Sequence, residues 1–267
     1  MKKLIKNGFT LVEMAIVMFV MALMLGTGMT ILSTQQDQRK IEDNGTKLDE
    51  AREALIGFAI AHGRLPCTAY FTSNISNSNG LESFCTNATG LCGTQLTTYQ
   101  THGRCSNPYD GLIPAASLGL SDVDSLGFAL DPWGNRIHYA VTDANNNAFT
   151  KSGGMSSIGI SNLIPDLQVC STATGMTGSS PATNCATGTS LASNDVPAVI
   201  YSIGPNDQPG GTGGAGADEV ANLNSDRTFI THQLTTANEA GGEFDDQVLW
   251  LSQYTLFNRM VQAGKLP

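Results

Sequence analysis

The sequence has 267 residues, of which 41% are hydrophobic and 14% are charged, and its formal net charge is -9 at pH 7. This apolar content excludes a wholly disordered chain and is enough for one core of ordinary size. The negative net charge argues against a general nucleic-acid-binding protein, because the phosphate backbone attracts basic surfaces. We therefore expect no nucleic-acid partner.

The amino terminus joins a basic segment to a long apolar one. Three lysines within the first six residues precede Gly8, and the 24 residues from 9 to 32 contain a single ionisable side chain, Glu13. At ~1.5 Å per residue, a helix of this length can cross a ~30 Å hydrocarbon layer. Residues 9–32 are therefore predicted to form a membrane helix, and the lysines orient its start to the cytoplasm.

Two other interpretations of this segment remain. A secretory signal peptide has an apolar region of about 7–15 residues that ends at a small-residue cleavage site, whereas this run is longer and continues into a polar helix. An ordinary membrane tether fits the length and the flanking charge equally well. It gives no role to Glu13, whose insertion into a membrane costs roughly 2.5–3.5 kcal/mol, so we expect this carboxylate to have a partner.

The basic leader ending in Gly8, the aromatic Phe9 and the lone Glu13 resemble the processing site of type IV prepilins and pseudopilins. The resemblance implies cleavage after Gly8 by a prepilin peptidase at the inner membrane, and N-methylation of Phe9. It also implies that Glu13 pairs with the amine of Phe9 on a neighbouring subunit as subunits enter a filament. Loss of the leader would change the net charge from -9 to -12, since 11 basic residues would then face 23 acidic ones.

On this resemblance, the chain is predicted to be a structural subunit, a minor or large pilin, of a type IV pilus-like filament. Its expected partners are other pilin subunits and an inner-membrane assembly platform with a cytoplasmic ATPase. The precursor would cross the inner membrane once, with a periplasmic head that later becomes extracellular. A pseudopilin of a type II secretion system and a tethered periplasmic binding protein that does not polymerise are the alternatives. The sequence has no nucleophile elbow, P-loop or dinucleotide fingerprint, so no enzymatic activity is predicted.

The cysteines follow the apolar segment, which places them in the oxidising periplasm and predicts disulfides. They are Cys67, Cys85, Cys92, Cys105, Cys170 and Cys185. Proximity in sequence favours the pair Cys170 and Cys185, and the pairing of the other four stays open. A zinc site is the alternative, but the sequence contains no CxxC pair.

The predicted fold is α+β, the pilin fold, in which a long N-terminal helix packs on an antiparallel sheet with disulfide-stapled loops. An apolar stripe at helical spacing predicts that the helix is amphipathic after the membrane segment; it consists of Ile41, Leu48, Ala51, Leu55 and Phe58. Gly63 is predicted to end it. The predicted parts are thus the leader 1–8, the membrane and assembly helix 9–32, the amphipathic helix 33–63 and the head 64–267.

Within the head, the pattern predicts loops over 68–107, strands over 136–141, 198–203 and 244–251, and a helix over 252–263. The segment DPWGN at 131–135 is predicted to be a tight turn. Followed by its strand, it is similar to a stretch in the major pseudopilins of type II secretion.

The glycine-rich segment 202–222 resembles the calcium-binding loop of the major pseudopilins. By match to that loop, Asp207 and Asp218 are the candidate Ca²⁺ ligands, although this loop is longer and Glu219 stands where an aliphatic residue is expected. A metal-free acidic loop is the alternative, and no cofactor is required. Asp245 and Asp246 are interpreted as the start of a secondary-structure element.

Overall fold

The computed structural model describes residues 10–70, 79–176, 184–206, 216–236, 238–239 and 242–267, with the backbone alone at 24–34 and 193–194. The chain divides into two units between Asp43 and Asn44. The helices are α1 Leu11–His62, α2 Ala115–Leu118, α3 Ala144–Asn147, α4 Gly154–Ile158, α5 Ala217–Asn222 and α6 Gln253–Gln262. The strands are β1 Phe84–Cys85, β2 Gln95–Leu96, β3 Gly111–Leu112, β4 His138–Val141, β5 Leu167–Cys170, β6 Ser190–Val196, β7 Ala198–Ser202, β8 Thr228–Ile230 and β9 Gln247–Leu251.

Helix α1 ends where the sequence predicts. Gly63 has a φ of +69°, a left-handed conformation that favours glycine, and its N–H donates to the carbonyl of Ala59 at 2.8 Å. Over the described residues, no helix is both long enough and apolar enough to cross a membrane. The limits predicted for the leader and the membrane segment stay predictions, since residues 1–9 and the side chains of 24–34 lie outside the described part.

The second unit is built around a four-stranded sheet in the order β3-β4-β7-β9, in which every neighbouring pair is antiparallel. One face packs against α6 and the part of α1 that follows Asn44. The apolar stripe of α1 is buried there as predicted at Leu48, Ala51 and Leu55. Phe58 is buried against His62 and Arg64 instead, and Ile41, in the first unit, is only half-buried. Strand residues alternate between faces, so the side chains that meet the helices are Tyr139, Val141, Ala198, Ile200 and Leu251.

The opposite face of this sheet packs against a second sheet, in the order β6-β5-β8. Tyr201 and Val199 contact Val169 and Phe229 there. The central strand β7 is therefore buried on both faces, which explains why its sequence is apolar from Ala198 to Tyr201 rather than alternating. β5 pairs antiparallel with β6 but parallel with β8, with Val169 opposite Phe229. The predicted antiparallel head is corrected at this pair, because a long connection between β5 and β8 permits parallel pairing.

Three disulfides staple the loops of the head. They join Cys67 to Cys105, Cys85 to Cys92 and Cys170 to Cys185. The first two close the region 68–107, where the only regular pairing among the described residues of that region is the two-residue ladder of β1 and β2 with isolated bridges beside it. Cys170 ends β5, so the third disulfide ties Cys185 to the second sheet.

Candidate functional site

The DPWGN turn fixes the beginning of the glycine-rich loop. Asp131 is 3% exposed, and its Oδ1 accepts hydrogen bonds from the backbone N–H groups of Trp133 (2.9 Å) and Asn135 (2.8 Å). Its Oδ2 accepts from the hydroxyl of Ser202, the last residue of β7, at 2.7 Å. The amide of Asn135 also donates to the carbonyl of Gly204 at 2.7 Å. Two segments that stand 69 residues apart in the sequence are thus one hydrogen-bonded structure.

Both ends of the glycine-rich loop pack against the segment before β9. At Gly204, whose φ is +68°, an added Cβ would lie 2.3 Å from Asp245 Oδ1. At Gly216, just before α5, an added Cβ would lie 2.0 Å from the carbonyl oxygen of Glu243. A Cβ atom cannot approach an oxygen atom so closely. Both positions therefore require glycine, because the segment before β9 occupies the space that a side chain would need.

Gly204→Ala is expected to lower the free energy of unfolding by roughly 2–4 kcal/mol, from the left-handed conformation and the collision with Asp245 together. Gly264 is the matched control, because it has the same φ of +68° with nothing within 4 Å of an added Cβ. Gly264→Ala should therefore cost only about 1 kcal/mol. Chemical denaturation of both variants measures the difference, and equal losses would show that the contact with Asp245 is unimportant.

Glu219, Asp245 and Asp246 bring a carboxylate oxygen each to within 4.8 Å of one another; we call this set the acidic trio. Glu219 lies on α5 and its Oε1 accepts from the backbone N–H of Asp245 at 2.8 Å. Asp246 accepts from the amide of Asn222 at 2.7 Å. Asn222 is itself fixed, because its Oδ1 accepts from the backbone N–H of Ile230 in β8 at 2.6 Å.

The acidic trio is poor in compensating charge. Among the described residues, none of its carboxylates forms an ion pair with a lysine, arginine or histidine. Burial raises the pKa of Glu219, and burial together with the charges of Glu219 and Glu243 raises the pKa of Asp245 to about 7. Burial also raises the pKa of Asp246 to about 8, against a hydrogen bond from Asn222 that acts in the opposite direction. The folded protein therefore favours protons, or another positive charge, at this place.

In EDTA, the contribution of the acidic trio to the free energy of unfolding is expected to fall as the pH rises from about 4 to about 8. The pKa values of Asp245 and Asp246 in the folded state lie above the ordinary value of 3.8, so the protonated carboxyls favour folding. The stabilisation by the protonated carboxyls is complete below pH 3.8 and is lost as the pH rises past the folded-state pKa values of Asp245 and Asp246. Its total is on the order of a few kcal/mol. Urea denaturation of the wild type and of Asp246→Asn at pH 6.5 and pH 8 measures it, because buried His138, whose pKa is lowered to about 4 by burial, has the opposite dependence below its ordinary value of 6.5. Equal changes in the two proteins would contradict the prediction.

Asp218 lies outside the acidic trio, although it is adjacent to Glu219. Its Oδ1 accepts from the backbone N–H of Ala173 at 2.6 Å and from the hydroxyl of Thr172 at 3.3 Å, and its Oδ2 lies 3.2 Å from Nε2 of His232. Its carboxylate thus fixes the residues that directly follow Cys170. The other ligand candidate from the sequence, Asp207, lies outside the described residues.

The start of α1 is a capping box formed by Thr10 and Glu13. The backbone N–H and the hydroxyl of Thr10 both donate to Glu13 Oε2 at 2.8 Å, and the hydroxyl of Thr10 accepts from the backbone N–H of Glu13 at 3.2 Å. This reciprocal arrangement satisfies N–H groups that have no partner within a helix. Glu13 therefore has a local structural role that its position in an apolar segment does not reveal. Gly8 and Phe9 lie outside the described residues.

The first turns of α1 expose apolar side chains on all sides. Between Leu11 and Met21, nine large apolar side chains are from 42% to 87% exposed: Leu11, Val12, Met14, Ile16, Val17, Met18, Phe19, Val20 and Met21. A helix that is apolar around its whole circumference is expected to be covered in its working state. This stretch therefore belongs with the capping box as the second candidate site.

Residues 5–29 match the family model described as the prokaryotic N-terminal methylation motif. The chain carries the prepilin-type cleavage and methylation signature of type IV pilins and pseudopilins. The matched segment includes Gly8, Phe9 and Glu13, together with the exposed apolar turns of α1. No curated protein and no solved structure matches the chain significantly. The methylation motif thus supports a pilin-like or pseudopilin-like protein in general, a class of structural proteins, that is membrane-anchored and then periplasmic or extracellular.

Two functional features are absent from the sequence-based predictions. The first is the cap of α1, although Thr10 and Glu13 have the spacing of a capping box, T-x-x-E, ahead of an apolar run, and this signal could have revealed it. The second is the role of Glu219, which has no such signal, because its partner Asp245 lies in a segment 26 residues away in the chain.

Proposed function

We propose that this protein is a structural subunit, a minor or large pilin, of a type IV pilus-like filament. A prepilin peptidase cleaves the chain after Gly8 and methylates Phe9, and the subunit then polymerises through residues 9–32. The single observation that carries the proposal is the match of residues 5–29 to the N-terminal methylation motif. The exposed apolar turns of α1 and the disulfides of the head agree with a membrane helix and an oxidising compartment.

Assembly through this helix is mechanical. Lipid tails already cover apolar side chains, so the transfer of the helix from the membrane to the filament gains chiefly from close packing between helices. Leaving the membrane therefore requires external work, which we assign to an assembly platform driven by a cytoplasmic ATPase. Glu13 contributes specificity, because a subunit docked in the wrong register leaves its carboxylate without the amine of a neighbouring Phe9.

A pseudopilin of a type II secretion system is the second candidate. The observation that favours it is the joined structure of the DPWGN turn and the glycine-rich loop, two segments that both resemble major pseudopilins. The two candidates share the processing, the membrane helix and the partners described above. They differ in whether the filament leaves the cell surface.

Shearing of filaments from intact cells tests the proposal. We expect the chain in the sheared fraction, beside other pilin subunits, and we expect deletion of its gene to reduce or alter surface filaments. Loss of protein secretion with unchanged surface filaments would indicate a pseudopilin. A chain that stays in the inner membrane while filaments and secretion are both intact would contradict assembly and leave the membrane-tethered binding protein.

A further inference from the structure

The part of α1 that belongs to the second unit begins with a buried polar residue. Asn44 is 0% exposed and is the first buried side chain of α1 among the described residues. Its spacing to Leu48, Ala51 and Leu55 places it on the stripe of the helix that packs into the core. A leucine would continue this stripe, whereas the chain has an amide there.

The amide of Asn44 is not paired. Among the described residues, neither its Nδ2 nor its Oδ1 has a hydrogen-bond partner, although both atoms are buried. Buried polar groups are ordinarily hydrogen-bonded, because their removal from water is otherwise uncompensated. The packing of this residue is therefore unfavourable compared with that of an apolar side chain of similar size.

Helix propensity is also low at this place. Asn44, Gly45 and Thr46 all favour helix less than most residues do, and glycine lowers the equilibrium constant for helix formation about fivefold relative to alanine. Nothing lies within 4 Å of a Cβ added at Gly45, so packing does not require glycine there. The residues that follow, from Lys47 to Leu55, are mostly strong helix formers. The weak place in the helix thus coincides with the unpaired amide.

A surface contact closes this turn of α1. Lys47 donates from Nζ to a carboxylate oxygen of Asp122 and to the carbonyl of Leu130, the latter at 3.1 Å. The side chain of Asp122 is 71% exposed, and ion pairs that are open to water contribute little to stability. The next buried side chain, Leu48, belongs to the main core. Residues 44–47, which we call the entry turn, are therefore held less firmly than the residues that follow.

We propose that the entry turn unwinds and reforms reversibly while residues 48–62 of α1 stay helical and packed. Local opening of this kind occurs where few buried apolar contacts hold a segment. Opening would hydrate the amide of Asn44 and break the exposed contact of Lys47. In the proposed filament it would release one more turn of α1 without unfolding the head. That use rests on the proposed function, whereas the opening is a property of the single subunit.

Hydrogen–deuterium exchange of the full-length chain in detergent, measured at residues 44–48, tests the proposal. Gly45→Ala should slow exchange there about fivefold, because alanine favours the closed helix. Gly57→Ala is the matched control, since Gly57 is likewise a glycine within α1 with nothing within 4 Å of an added Cβ. It should leave exchange at residues 44–48 within about twofold, because opening of the entry turn does not involve residue 57.

Two results of this exchange experiment would overturn the proposal. Equal slowing in Gly45→Ala and Gly57→Ala would mean that the entry turn opens only when the whole helix unfolds. No slowing in Gly45→Ala would mean that helix formation at this turn does not control the opening.

Asn44→Leu tests the unpaired amide separately. Leucine continues the apolar stripe and removes the buried polar atoms, so the melting temperature should rise by roughly 2–6 °C, and exchange at residues 44–48 should slow at least about fivefold. A lower melting temperature or faster exchange would show that the amide of Asn44 has a partner in the folded chain, and would overturn the proposal. None of these measurements depends on cleavage or on filament assembly.

Discussion

Glu13→Ala is expected to lower the yield of assembled filament at least about tenfold, with cleavage after Gly8 retained. The substitution removes the charge that is proposed to pair with the amine of Phe9 on a neighbouring subunit, and an amine left without a counter-charge in an apolar filament core costs several kcal/mol. Immunoblotting of the sheared and cell-bound fractions measures the yield. Mass spectrometry of the cell-bound chain shows whether cleavage still occurs.

The capping box makes a sharper comparison possible. Glu13→Gln keeps an oxygen that can accept from Thr10, since glutamine serves in capping boxes as glutamate does, but it removes the charge. Thr10→Ala does the reverse: it removes the cap hydroxyl, at a cost of about 1 kcal/mol to the helix, and keeps the charge. If the ion pair drives assembly, Glu13→Gln fails like Glu13→Ala and Thr10→Ala assembles. Normal assembly of Glu13→Gln would mean that Glu13 serves only as a cap.

Arg64→Met is expected to be the most destabilising single substitution that we predict in the head, at roughly 3–5 kcal/mol. Arg64 follows the end of α1, and its two terminal nitrogens donate to the two oxygens of Glu82 at 2.6 and 2.8 Å. Both residues are less than one tenth exposed, so the substitution leaves a buried carboxylate without its counter-charge. The guanidinium also lies 4.6 Å from the ring centroid of Tyr99 and 5.0 Å from that of Phe58. Thermal unfolding with the disulfides intact should show a loss of about 10 °C.

The double variant Arg64→Met with Glu82→Gln separates the ion pair from the packing. The neutral amide that replaces the Glu82 carboxylate can still accept the hydrogen bond that the backbone N–H of Cys67 donates at 2.8 Å. We therefore expect the double variant to recover about half of the stability lost in Arg64→Met. A double variant as unstable as Arg64→Met would assign the loss to the contacts with the aromatic rings instead.

The helices and the central strands could be predicted because their signals are local. Gly63 ends α1 through its own left-handed conformation, and the seven-residue repeat of Leu48 and Leu55 is a property of one helix face. The strands predicted over 136–141, 198–203 and 244–251 correspond to β4, β7 and β9, and the helix predicted over 252–263 corresponds to α6. Cys170 and Cys185 are bonded as their proximity suggested.

The second sheet and the acidic trio could not be predicted because they depend on contacts between distant segments. β5 and β8 are short, and nothing local distinguishes their parallel pairing from an antiparallel one. Asp245 and Asp246 precede an apolar strand, a position where carboxylates are common without any ligand. Only the fold shows that Gly204 lies against Asp245 and that Glu219, rather than Asp218, faces the two carboxylates.

Mass spectrometry of the mature protein shows whether the chain is processed at its prepilin-type motif. We expect a chain that begins at Phe9 and carries one N-methyl group on its amino terminus. In a strain without prepilin peptidase, the same preparation should yield the chain with its leader still attached. A mature protein that retains Met1 beside an active peptidase, or one cleaved at any other bond, would show that the motif does not direct processing after Gly8.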